Sequence, residues 1–302
     1  MTNAESIHQP LTFGANKQMR TVYLNGEYVP ENEAHVSIFD RGFLFADGVY
    51  EVTTVLNGKL IGFDGHIERL QRSMNELNYN HKVDRENMLA IHRELVSRNN
   101  LDQGMIYLQM TRGNPGDRDF AFPPKDTPVT TVLFTQEKQI VGTSVESDGL
   151  KVVAIEDLRW GRRDIKTVQL LYPSLAKMEA KARGADDAWM MQDGFVTEGT
   201  SNNAYIVKNG KIITRDLSND ILHGITRKSV LACAKLLQME VEERPFTIEE
   251  AYEADEAFAT SASGFTNPIV EIDGHKVGDG TPGTVGDRLR ELYIQENLKA
   301  AV

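Results

Sequence analysis

The chain has 302 residues, 40% hydrophobic and 25% charged, an ordinary globular composition with length enough for two domains or one large one. Its 33 basic and 44 acidic side chains leave a formal net charge of −11, which repels an extended phosphate backbone or an anionic membrane. There is no basic run, no apolar stretch of signal-peptide length near the start and no span of membrane length, so nucleic acid and membrane partners are excluded and the cytoplasm is expected.

Residues 1–19 lack periodicity and read as a loose arm. A hairpin is predicted at 21–29, turning at Asn25-Gly26, and a second at 49–62, turning at Asn57-Gly58, because Asn-Gly favours the type I′ turn. Two helices follow: Ile67, Leu70, Met74 and Leu77 share one face, and Met88, Ile91 and Leu95 another. Strands at 105–111 and 129–134 flank a Gly/Pro-rich stretch, 113–124, completing a small α+β domain over 20–138. The polar segment 139–149 is read as an interdomain linker.

From residue 150 to 302 the pattern is a larger, mostly antiparallel β-rich domain with surrounding helices. A strand is predicted at 150–155 and a helix at 173–183, stopping at Gly184. Strands follow around Asp193-Gly194 and Asn209-Gly210, then a helix at 226–238 and a strand near Val241. A short helix from Ile248, strands at 257–260 and 269–272, and an amphipathic helix near 285–298 complete the chain. Gly278–Gly283 matches a dinucleotide-binding glycine pattern, but no βαβ unit surrounds it, and it reads as a turn. The single Cys233 lies in an apolar helical pattern and reads as an inert core thiol. The seven histidines lack zinc-ligand spacing, and no metal site is expected.

Four segments carry chemistry. Trp160–Leu171 contains Lys166, whose amine, if desolvated, is a competent Schiff-base nucleophile; taken alone it reads rather as a surface lysine. Val196–Asn203 puts Glu198 on a tight loop between strands, where a carboxylate can face a pyridine nitrogen or merely solvent. Leu222–Arg227 opens a helix with Gly224, Ile225 and Thr226, which is a phosphate cradle or a plain threonine cap. Phe63–Leu70 places Arg69 where its fork can grip phosphate bidentately or sit on the helix surface.

Together, the order Asp40-Arg-Gly, Gly48-Val-Tyr-Glu51, His66-Ile-Glu-Arg69, Asp164-Ile-Lys166, Thr197-Glu-Gly199 and Gly224-Ile-Thr-Arg227 resembles the class IV (fold-type IV) pyridoxal 5′-phosphate (PLP)-dependent aminotransferases over residues 20–292. The stretches 40–51 and 164–171 are most similar to the D-amino-acid group of that class. The resemblance implies an α+β, two-domain enzyme with a small N-terminal α/β domain and a pseudo-barrel, PLP-binding C-terminal domain. It also implies a homodimer that moves an amino group from a D-amino acid to a 2-oxo acid in two half-reactions. It gives Lys166 the cofactor and the proton transfer, Glu198 the pyridine nitrogen and Leu222 the ring face. Arg69, Gly224, Ile225 and Thr226 would hold the phosphate. Tyr50 would lie beside the substrate, and a neighbouring subunit's loop would close each site.

Two positions depart from the family pattern. Thr260-Ser261 is followed by Ala262 instead of a threonine, so the second phosphate loop relies on amides, Ser261 or Ser263. The lost hydroxyl costs roughly 1.5–3 kcal/mol. The loop that grips the substrate carboxylate with Arg-x-His reads Arg118-Asp119-Phe120 here, so the partner of Arg118 is apolar. That departure keeps an (R)-selective amine transaminase as the alternative. A branched-chain L-aminotransferase, an aminodeoxychorismate lyase and a PLP carrier without turnover stand behind it.

Overall fold

The structure, a computed structural model, describes residues 19–302; all but the last residue of the expected arm lies outside them. The first half builds a six-stranded antiparallel sheet. Its hairpins are β1 (Thr21–Leu24) with β2 (Glu27–Pro30), and β3 (Gly48–Leu56) with β4 (Lys59–Ile61). Both turn through Asn-Gly pairs with positive φ, as the sequence predicts. Between them lies α1 (Arg41–Phe45), a five-residue helix capped by Asp40. Helices α2 (Phe63–Glu76) and α3 (Arg85–Arg98) cover the sheet, which β5 (Gln103–Thr111) and β6 (Thr130–Glu137) complete in the order β2-β1-β6-β5-β3-β4.

The segment 139–149 is not featureless: it carries α4 (Ser144–Asp148), whose Thr143 and Glu146 form a capping box. Arg290 tethers it by donating to Ile140 O at 3.0 Å and to Glu146 at 2.6 Å. The second half follows as β7 (Leu150–Glu156), α5 (Leu171–Ala182), β8 (Asp187–Gln192), β9 (Phe195–Gly199), β10 (Asn203–Lys208) and β11 (Lys211–Thr214). Then come α6 (Ile225–Leu236), β12 (Glu240–Glu243), α7 (Ile248–Tyr252), β13 (Glu256–Ser261), β14 (Phe265–Ile272), β15 (His275–Lys276) and α8 (Thr284–Lys299). Among the described residues these strands form one nine-stranded sheet, mostly antiparallel but with parallel pairs β11–β12, β14–β7 and β7–β8. The crossovers through α5 and α6 produce the β7–β8 and β11–β12 pairs, since parallel neighbours need a long connection.

The discarded glycine motif is turn. Gly283 caps α8, and the Glu256 carboxylate already accepts the Val285 amide at 2.9 Å, so no phosphate has room at that helix end. Cys233 is buried and burial pushes its thiol up, as an inert core residue requires. No described helix is long and apolar enough to cross a membrane. The two sheets share a core in which Leu56 and Ile61 meet Tyr205, Phe258 and Leu289. The cleft between the sheets runs along the edge of this core.

Candidate active site

The cleft has a volume of about 790 Å³, and it gathers Tyr50, Arg69, Lys166, Glu198, Leu222, Gly224, Ile225, Thr226, Ser261 and Ala262. These residues come from separated stretches of chain. Strand β3 explains why its residues face opposite ways. Tyr50 and Val52 line the cleft while Val49, Glu51 and Thr53 are buried, the period-2 alternation of a strand.

The segment carrying Lys166 is laid along the edge of β3. The Tyr50 amide donates to Lys166 O at 3.0 Å and the Val168 amide to Gly48 O at 3.1 Å. This pairing sets the Lys166 ammonium 4.2 Å from the centre of the Tyr50 ring, within cation–π range. From the other side, α2 secures the same segment. Arg72 donates to the Asp164 carbonyl and carboxylate at 2.8 and 2.6 Å, and Ser73 Oγ accepts the Lys166 amide at 3.3 Å.

Glu198 sits near the end of β9 rather than on a loop as the sequence reading expects. The tight turn begins just after it, where the Gly199 amide donates to Asn202 O at 2.8 Å. Arg159 donates to one carboxylate oxygen at 2.7 Å, and Asn203 Nδ2 and the Leu222 amide each donate to the other at 3.0 Å. Burial pushes the Glu198 carboxyl up, and Arg159 and the Leu222 amide oppose that shift. Three donors hold the carboxyl in place, and a carboxylate accepts about four, so one acceptor position remains for a group in the cleft. Arg159 is itself held by Asp157 at 2.7 and 2.9 Å.

Arg69 departs from the expected bidentate phosphate grip. Its fork is spent on Glu51, with Nε and Nη2 donating at 2.8 and 2.7 Å, while Nη1 donates to His223 O at 3.0 Å beside the α6 terminus. His66 places Nδ1 2.7 Å from the same Glu51 carboxylate. Burial alone would raise the Glu51 carboxyl, but Arg69 and then His66 override it and hold it at about 2. Burial pushes His66 down, so at neutral pH the ring is uncharged and Nδ1–H donates to Glu51. Neither Glu51 nor Arg159 was expected as a site residue. Glu51 was legible in principle, because a carboxylate on the apolar face of a strand must be paired.

The cradle itself is the start of α6. Gly224 caps it without a side-chain bond, leaving the amides of the first turn to the cleft. A Cβ at Gly224 would fall 2.2 Å from Asn203 Oδ1, and one at Gly65 on α2 would fall 3.1 Å from Ile225 Cγ2, so glycine allows both close approaches. In the same cleft Ser261 and Ser263 bring their hydroxyls within 3.5 Å of each other, and the Ala262 carbonyl accepts from Thr54. Free amides, a partly available guanidinium and two hydroxyls suit a phosphate, and the open acceptor position on Glu198 suits a ring nitrogen. The residues present fit PLP.

Arg118 and Phe120 are not brought into this cleft. Phe120 is 76% exposed, and the Arg118 guanidinium lies 5.0 Å from the Phe45 ring and 4.9 Å from that of Phe120.

A lysine beside an aromatic ring, a buried carboxylate and a helix-start cradle in one cleft define a PLP-dependent transferase. The family description "Amino-transferase class IV" matches residues 48–272, and the chain belongs to that family. It is therefore a PLP-dependent aminotransferase acting on an amino donor and a 2-oxo acid. D-alanine aminotransferase of Staphylococcus aureus (strain MSSA476) is 38% identical over 275 residues, 91% of this chain and 97% of that protein. The D-alanine aminotransferase of Listeria monocytogenes serotype 4b is 36% identical, over 92% and 96%. Among solved structures, the T.th. branched-chain amino acid aminotransferase with pyridoxamine 5′-phosphate superposes with a TM-score of 0.84 at 27% identity, covering 93% of this chain and 94% of that one. The branched-chain enzyme of Escherichia coli shares the fold, with a TM-score of 0.82 at 22% identity, covering 93% and 95%.

Proposed function

We propose that the enzyme transfers the amino group of a D-amino acid, D-alanine or one like it, to a 2-oxo acid in two half-reactions through the one cleft. Identity near 38% to D-alanine aminotransferases, sustained over nine-tenths of the chain, is the observation that carries this reading. PLP supplies the electron sink that stabilises negative charge at the donor Cα. Lys166 would hold the cofactor, and its amine would take and return the proton at the donor Cα. Glu198, held by Arg159, would face the ring nitrogen, and Leu222 would pack against the ring. Arg69, Gly224, Ile225 and Thr226 hold the phosphate with Ser261 and the Ala262 backbone, and Tyr50 borders the donor.

Arg118 supplies the fork for the donor carboxylate, with Phe120 beside it, from the loop of a neighbouring subunit. Support for that arrangement is the position of both side chains on the surface outside their own cleft, together with exposed apolar side chains at Phe43 and, at the cleft rim, Leu171 and Leu175. The active form is then a homodimer. The bacterial relatives and a lone buried thiol support a cytoplasmic setting.

Phe120 favours one second reading, an (R)-selective amine transaminase, because an apolar partner beside Arg118 tolerates a donor without a carboxylate. The holoenzyme's spectral change on mixing with each donor alone separates the two. D-alanine or D-glutamate is expected to convert the cofactor at least tenfold faster than (R)-1-phenylethylamine. A faster amine, or no response to either D-amino acid, would overturn the first reading.

A further inference from the structure

We infer that Arg41 is a positioning residue that sets the loop bearing Arg118, and so tunes the grip on the donor carboxylate. The inference rests on the proposed role of Arg118. Arg41 is 3% exposed, and its segment holds the loop at two places. Its amide donates to Gly113 O at 2.9 Å, at the base of the loop. Its Nη1 donates to Asp119 O at 2.6 Å and to Ala121 O at 3.2 Å, the carbonyls of the residue after Arg118 and of the residue after Phe120.

The guanidinium cannot drift, because Nε donates to Asp47 at 2.8 Å, and Asp47 also accepts from Arg112 at 2.8 Å. One carboxylate shared by two guanidiniums cannot occupy all of their donors. Carbonyl oxygens are the groups that can satisfy the remaining donors, and those of the loop do so. Phe122, 60% exposed, lies 3.9 Å from the Arg112 guanidinium and 5.7 Å from that of Arg41.

The base of Arg41 is equally fixed. Asp40 accepts the Gly42 amide at 2.8 Å and the Thr111 and Thr130 hydroxyls at 2.9 and 2.7 Å. A Cβ at residue 42 would fall 2.4 Å from the Thr111 methyl, which explains the glycine of the Asp40-Arg-Gly stretch. None of these groups lines the cleft; they act only through the loop.

The test uses full-length holoenzyme carrying Arg41→Lys, which keeps the charge and loses the fork, and, should that variant fold poorly, Phe122→Ala on the surface. Each is expected to raise KM for D-alanine about tenfold with kcat within about twofold and PLP affinity unchanged. Amide hydrogen exchange should quicken over 113–124 and not over 161–171. In an Arg118→Ala background the same change should add less than about twofold to KM, since coupled residues are non-additive. A multiplicative effect in that background, or a KM that does not move, would overturn the inference. If the wild type ignores D-alanine while Arg41→Lys still loosens the loop, the substrate reading fails and the anchoring stands. If exchange in the loop is unchanged, the anchoring itself is wrong.

Discussion

Glu51 stands one layer behind the cleft and Arg159 lines it, and the two do complementary work: Glu51 fixes the Arg69 guanidinium, and Arg159 fixes the Glu198 carboxyl. The Glu51 carboxyl, held at about 2 against an ordinary 4.5, binds its proton more weakly folded than unfolded. It therefore contributes about 3 kcal/mol above pH 4.5, and that stability is lost as pH falls from about 4.5 toward 2. His66, pushed down by burial, acts in the same direction from about pH 6.5 downward, because the unfolded imidazole takes a proton that the folded one refuses. Glu51→Gln should lower the urea unfolding free energy at pH 7 by about 3–5 kcal/mol, the range for leaving a buried charge unpaired. It should also flatten the acid slope between pH 4.5 and 2; an unchanged slope would mean that other carboxylates carry it. Lys166, Glu198 and Thr226 were legible because short motifs mark them. Arg159 was not, since its contact with Glu198 spans 39 residues and leaves no periodic trace.

Helix α2 is the element that assembles the site. Its apolar stripe, Ile67, Leu70 and Met74, faces the core as its spacing predicts. The neighbouring stripe, His66, Arg69 and Ser73, is spaced at three and four residues and so meets Glu51, the α6 terminus and the Lys166 segment in one line. Hydrophobic period alone locates such a helix and says nothing of what its polar flank will touch. The short α1 and α4 escaped the sequence reading for a related reason: five residues hold little more than one turn, and their signal is a cap rather than a period. At the facing element, Gly224→Ala should push Asn203 off Glu198 and Leu222 O, to which its amide donates. PLP affinity should fall about tenfold or more, read by fluorescence titration, while Gly210→Ala, in an open turn, should leave it unchanged. Equal affinity in both variants would show that the close packing at α6 does not shape the cradle.

At the scale of the whole molecule, the two sheets and the order of the segments were readable because turn pairs and motif order both survive in one dimension. The mixed parallel pairing of the second sheet was not, since strand neighbours are chosen by crossovers rather than by local pattern. A loop that serves a neighbouring subunit ties activity to assembly. Mixing Lys166→Ala, which is inactive, with Arg118→Ala, at D-alanine concentrations too low for the weakened Arg118→Ala site to turn over, should restore about a quarter of wild-type activity after subunit exchange, since half the dimers are hybrids with one intact site each. No recovery would mean that each loop serves its own cleft.

Every role assigned in the cleft depends on Lys166 as the residue that carries the cofactor. Borohydride reduction of the holoenzyme, followed by peptide mapping, tests this without any assumption about substrate. The pyridoxyl mass is expected on the peptide containing Asp164-Ile165-Lys166, and to be lost in Lys166→Ala. Label on another lysine, or retained in that variant, would contradict the account.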